Sequence, residues 1–164
     1  MYFVDSSALI KAYVTETGTP VVVAVLDGLR GSVYVSSAVM IETAAAMARH
    51  WRSNRVRQKV YAKARDTFLE HCRTRYHVVH PPAAVAGATL RMIERYKMRS
   101  AGGFDLLHIA TAEYIQTLLP RGTLSLMCCD EGLRSVAEER GFDVFDPLHD
   151  PLPAQLQPPG EGEG

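Results

Sequence analysis

Apolar and polar positions along the chain follow two alternating periods. Short runs of strand-forming residues at 2–4, 32–35, 76–79, 123–129 and 142–145 are separated by longer segments whose apolar positions return every three to four residues. Those segments predict helices over 8–13, 20–29, 38–51, 53–75 and 83–97, a strongly apolar helix starting near Phe104, and a helix from Asp130 to Arg140. In the 53–75 segment the repeating positions are Val56, Val60, Tyr61, Phe68 and Leu69. Gly28 and Gly31, the pair Pro81-Pro82, the pair Gly102-Gly103, Gly141 and Asp146-Pro147 punctuate the elements. Short strands alternating with helices imply an α/β, three-layer sandwich: a central, mostly parallel sheet of about five short strands flanked by helices, joined by right-handed crossovers. Beyond Asp146 the prolines and the Gly160-Glu161-Gly162-Glu163-Gly164 ending predict one folded domain over 1–147 and a disordered tail over 148–164.

Composition narrows this picture without changing it. The 164 residues suit one domain, and 47% apolar with 22% charged residues is ordinary for a globular chain. No apolar run is long enough to span a bilayer, and Asp5, Ser6 and Ser7 interrupt any signal-like start, so a cytoplasmic location and no membrane partner are expected. Cys72 and the vicinal pair Cys128-Cys129 make an odd count without zinc-ligand spacing, which suits a reduced compartment. Charge changes the picture more. Nine of the 18 Lys and Arg fall between Arg49 and Arg75, and nine of the 18 acids from Asp130 onward, so a net charge of zero conceals a dipole. The basic segment fits either a polyanionic partner or a solvated helix face.

Four acids stand where a site would form. Asp5 ends the first strand, and ligands of open α/β sheets bind at the C-terminal ends of strands; an Asp there also suits a helix cap. Asp130 repeats the strand, acid, helix order. Glu42 shares its helical stripe with Ala38, Val39, Ala45 and Ala46, with an ion pair to Arg49 as the alternative to a site role. Asp105 lies in the first turn of the apolar helix, on the face of His108, Ile109 and Ala112, where an acid also complements the helix dipole. His108 is either a ligand or, more commonly for a lone histidine on such a face, a hydrogen-bonded core residue. Carboxylates gathered at one sheet edge repel unless a cation neutralises them, and Mg²⁺ or Mn²⁺ is the natural counter-ion for oxygen donors. Such ions bind substrate phosphates, which points to phosphodiester hydrolysis.

The ordered set Val4-Asp5-Ser6-Ser7-Ala8-Leu9, Glu42 in an Ala-rich helix, Phe104-Asp105-Leu106-Leu107-His108-Ile109-Ala110 and Cys128-Cys129-Asp130-Glu131-Gly132-Leu133 resembles a PIN domain, most of all the VapC-type toxins of toxin–antitoxin modules. The resemblance runs over about 1–147. It implies a Mg²⁺- (or Mn²⁺-) dependent endoribonuclease whose catalytic and metal-binding acids are Asp5, Glu42, Asp105 and Asp130, with Ser6 supporting the pocket. It further implies RNA as substrate, a cognate antitoxin covering the pocket with a basic or apolar segment, and a homodimer. Two departures accompany it: Cys128 stands where members often carry Thr, and Gly102-Gly103 replaces a polar and apolar pair. The alternatives are a PIN nuclease of RNA processing without a toxin role, and an inactive PIN module that binds RNA or protein. A phosphatase with an aspartyl nucleophile fits less well, since that chemistry wants a second acid at the position held by Ser7.

Overall fold

The computed structural model describes residues 1–29, 31–53, 56–153 and 156. The chain runs β1 (Tyr2–Val4), α1 (Ser6–Leu9), a 3₁₀ turn (Ile10–Ala12), α2 (Thr19–Gly28), β2 (Val33–Ser36), α3 (Ser37–Arg52) and α4 (Gln58–Thr74). It continues through β3 (His77–Val79), α5 (Ala83–Tyr96), α6 (Gly103–Leu118), β4 (Ser125–Met127), α7 (Glu131–Glu139) and β5 (Val144–Phe145). The sheet order is β3-β2-β1-β4-β5, and all four neighbouring pairs are parallel. The expected α/β architecture is therefore present, with β1 at the centre of the sheet.

A parallel sheet covered on both faces needs apolar strands. Phe3 and Val4 of β1, Val33 and Val35 of β2, and Leu126 and Met127 of β4 are accordingly buried. Val4 pairs with Met127, and the Asp5 N–H donates to the Met127 carbonyl at 2.9 Å, so β1 and β4 end side by side. This register sets the acids at the ends of both strands on one edge of the sheet.

The basic segment departs from the predicted single helix over 53–75. α3 extends to Arg52, and Ser53, whose hydroxyl donates to the His50 carbonyl at 3.1 Å, closes it. Arg57 is extended (φ −69°, ψ 150°), and α4 starts only at Gln58. Helical periodicity cannot distinguish one helix from the second arm of a hairpin, because the turn needs only a few residues. Tyr13 anchors the far end of α4: its hydroxyl lies 2.8 Å from His71 Nδ1 and 2.5 Å from the Tyr76 hydroxyl.

β4 is shorter than the predicted 123–129 run, leaving Cys128 and Cys129 just beyond the strand; all three cysteines are free. Within the expected tail, residues 148–153 and 156 are described and lie against the domain. Leu152 and Leu156 pack on the core, and a Cβ on Gly18, whose φ is +89°, would meet the Leu148 side chain at 2.8 Å. The rest of the tail lies outside the described residues. Among the described residues no helix is long and apolar enough to cross a membrane.

Candidate metal centre

Asp5 performs both tasks that its position allows. Its Oδ2 accepts the Ser7 N–H at 2.8 Å, capping α1, while Oδ1 lies 3.6 Å from His108 Nε2. The residue is 3% exposed, so this carboxylate is presented at the sheet edge with little water of its own. Ser7 fixes the geometry from the other side, since its hydroxyl accepts the Cys129 N–H at 2.9 Å and ties the start of α1 to the end of β4.

Glu42 comes from α3. Its stripe is apolar, as the sequence indicates, but Ala44 and Ala45 are exposed, and only Val39, Thr43 and Met47 turn fully inward. The Glu42 side chain itself is partly exposed, at 31%. His108 Nε2 lies 2.5 Å from Glu42 Oε2, so the nitrogen carries the proton and donates. That bond is the main reason that the Glu42 carboxyl is held below its ordinary range, against a contrary pull from desolvation; the Ser6 hydroxyl and the more distant Arg49 charge add to the lowering. The ion pair to Arg49 considered from sequence is thus replaced by a hydrogen bond to His108.

His108 is buried on α6 and holds the same nitrogen toward both Asp5 and Glu42. Its Nδ1 is buried without a hydrogen-bond partner among the described residues. The core reading of this histidine is correct as to burial, yet its one hydrogen bond is made inside the site.

Asp105 and Asp130 each sit at a helix start. Asp105 Oδ2 accepts the Gly102 N–H at 2.6 Å, and Asp130 Oδ1 accepts the Leu133 N–H at 2.8 Å. Burial pushes the Asp105 carboxyl up; the Gly102 bond opposes this, and the negative charges of Asp130 and Asp5 raise it further. Asp105 is thus within electrostatic range of both acids at the strand ends. Gly132 makes this approach possible, because a Cβ there would meet Ser100 Oγ at 2.8 Å and the Ala101 nitrogen at 3.1 Å. Cys128 gives only a weak contact from Sγ to the Asp130 carbonyl at 3.9 Å.

The side chains thus fall into two linked groups. Donor atoms of Asp5, Glu42 and His108 lie within 4.8 Å of one another, and Asp105 and Asp130 stand outside that cluster, joined to it by charge. Oxygen donors dominate, and although burial is the main cause of the upward push on Asp105, the part that comes from Asp130 and Asp5 is negative charge that a hard divalent cation would relieve. The residues fit such an ion. Sequence patterns marked the acids; they did not mark Ser7 or Gly132, whose roles are contacts across the fold and carry no periodic signal.

The chain matches the family model for the PIN domain over residues 2–139. No curated protein sequence matches it significantly. Among solved structures it is similar to Mycobacterium tuberculosis VapC20, described as a sarcin–ricin loop cleaving toxin, with 16% identity, a TM-score of 0.65, and coverage of 87% of this chain and 96% of that one. It is also similar to FitAcB from Neisseria gonorrhoeae, with 19% identity, a TM-score of 0.62, and coverage of 91% and 99%. The FitAB structure bound to an IR36 DNA fragment gives 18% identity, a TM-score of 0.58, and coverage of 92% and 98%. At these identities the structural likeness establishes the fold, and the family match over residues 2–139 establishes more: the chain belongs to the PIN domain family.

Proposed function

We propose that the protein is a Mg²⁺- or Mn²⁺-dependent endoribonuclease and the toxin of a toxin–antitoxin pair. The observation that carries this reading is the convergence of acids at one sheet edge: Asp5 and Asp130 follow adjacent parallel strands, Asp105 feels the charge of both, and Glu42 joins Asp5 through His108. Asp5, Glu42, Asp105 and Asp130 would hold the ion. When bound, it supplies Lewis-acid activation of water and neutralises charge on the phosphodiester. His108 and the Ser6 hydroxyl hold the Glu42 carboxylate in place, and the cations of α3 and α4 that form no ion pair among the described residues attract the RNA backbone.

The rim of the pocket favours a protein cover. Ile41, next to Glu42, is 70% exposed, and Phe104, next to Asp105, is 58% exposed. Apolar side chains flanking an acidic pocket suit an antitoxin segment that brings basic and apolar groups together. A separate exposed set, Leu90 and Ile93 on α5 with Met98 just beyond, supports self-association as a homodimer. VapC20, described as a sarcin–ricin loop cleaving toxin, supports the toxin reading for a chain of this fold.

The test is RNA cleavage by the purified chain with Mg²⁺ or Mn²⁺ and with chelator, beside Asp5→Asn prepared identically. Metal-dependent cutting lost in the variant is the expected result. Equal residual cutting by both proteins would refute the assignment and favour an inactive PIN module.

A further inference from the structure

The outer end of the α3–α4 hairpin carries a second arrangement, away from the carboxylates. Trp51 and Tyr61 stack with ring centroids 5.5 Å apart and planes 19° from parallel. The Arg65 guanidinium lies over the Tyr61 ring at 5.9 Å, and Trp51 remains 38% exposed, so the open aromatic surface belongs to Trp51. Arg52, next to Trp51, and Arg57, one turn before Tyr61, are exposed and form no ion pair among the described residues, whereas the exposed Lys59 and Lys63 are each two residues from Tyr61 and face the other side of α4. Elsewhere on α4 and just after it the cations are matched: Arg65 with Asp66, Arg73 with Glu70, and Arg75 with Asp27. A groove of about 460 Å³ opens at the foot of the hairpin, with His50, Val56 and Arg57 on one side and Tyr13 and Glu16 on the other.

We propose that this hairpin end is a platform for single-stranded RNA, on which Trp51 stacks a base while Arg52 and Arg57 hold the neighbouring phosphates. The inference rests on the RNA reading above and deepens it by naming where the strand is gripped outside the cleavage site. A clasp between two helices would account for the stacked rings alone. It would not account for a partly exposed Trp flanked by two cations without ion pairs among the described residues, which is the pairing of stacking surface and electrostatic groove that single strands use. An apolar protein segment would gain nothing from the cations, and an acidic one would gain little from the indole. Trp51 lies nine residues beyond Glu42 on one helix, a rise of about 14 Å and about two and a half turns, so the platform and the carboxylates are on opposite faces of α3 and a strand that reaches both must cross the helix. Arg49 stands between them, close enough to lower the Glu42 pKa.

Trp51 is the only tryptophan in the chain, so its fluorescence reports directly on the platform. The full chain carrying Asp5→Asn, which leaves RNA uncut, is titrated with a short single-stranded oligouridylate in chelator at two salt concentrations. Quenching of the indole on binding is expected, with affinity falling as salt rises. Adding Trp51→Leu lowers affinity about 10-fold or more. Trp51→Phe retains most of the affinity, and thermal melts of both variants show that the fold is kept. Arg52→Gln and Arg57→Gln each reduce the slope of log affinity against log salt by about one. RNA that binds without changing Trp51 emission, or that binds Trp51→Leu as tightly, overturns the platform. So does a protein partner that shields Trp51 while RNA does not. Cleavage by the wild type with a silent Trp51 would overturn this inference alone, whereas absence of both binding and cleavage would overturn the ribonuclease reading with it.

Discussion

Asp105→Asn is expected to stabilise the protein in the absence of metal while removing its activity. The substitution keeps size and shape, and an Asn side-chain oxygen can still accept the Gly102 N–H now held at 2.6 Å, so the start of α6 stays capped. What is lost is a half-buried negative charge that desolvation disfavours and that Asp130 and Asp5 repel. Discounted for screening at a half-exposed position, the relief is worth about 0.5–1 kcal/mol. For a domain of this size that raises Tm by about 1–4 °C. The pH dependence has a definite sign. Because the folded pKa of Asp105 lies above its ordinary value of 3.8, ionisation costs stability, and the cost appears as pH rises from the unfolded through the folded pKa. The advantage of the variant should therefore be absent at low pH, grow through that window and stay constant above it. Divalent metal should reverse the order: Mn²⁺ at about 100 times its Kd adds about 2.7 kcal/mol to a protein that binds it, raising Tm by about 5–10 °C, and the variant, lacking one carboxylate, should gain less. Thermal unfolding of both proteins, with chelator and with Mn²⁺ across pH, measures all of this. A variant less stable than the wild type in chelator, or an equal gain from Mn²⁺ in both, would refute the crowded-acid account.

Two other substitutions probe the supports of the site. His108→Leu removes the donor that holds Glu42 and should weaken Mn²⁺ binding about 10- to 100-fold, while His108→Gln, which can place an N–H near the same point, should restore much of it; calorimetric titration of folded variants reads the difference, and equal binding by all three proteins would remove His108 from the site. Ser7→Ala strips the Cys129 N–H of its acceptor and should cost about 1–2 kcal/mol, a Tm lower by about 2–8 °C; an unchanged Tm would show that this link between α1 and β4 carries no stability.

The fold was legible because strands buried on both faces must be apolar and the helices between them repeat every three to four residues. Tyr2–Val4, Val33–Ser36 and Ser125–Met127 carry that signal plainly. Periodicity ran on where it should have stopped, across the turn between α3 and α4, because the Val56 and Val60 spacing is the same in one helix as in two. Asp5 and Asp130 were legible as strand ends. Glu42 was legible as an acid in an apolar stripe, although half of that stripe faces solvent. His108 was legible as a buried, hydrogen-bonded residue but its partner was not, because a hydrogen bond across 66 positions to Glu42 leaves no trace in local sequence. The ends of a hairpin brought Trp51 and Tyr61 together in the same way, through a turn that no residue pattern announces.

The central claim is that four carboxylates act as one metal centre, with His108 positioning Glu42 instead of binding the ion. Crystals grown with Mn²⁺ and measured at its absorption edge test this most directly. The account expects an anomalous peak at the sheet edge bounded by Asp5, Glu42, Asp105 and Asp130, directly or through water, with His108 Nε2 still hydrogen-bonded to Glu42. An ion ligated by His108 Nε2 with Asp105 and Asp130 uninvolved, or no ion at this edge at Mn²⁺ concentrations that support cleavage, would contradict it.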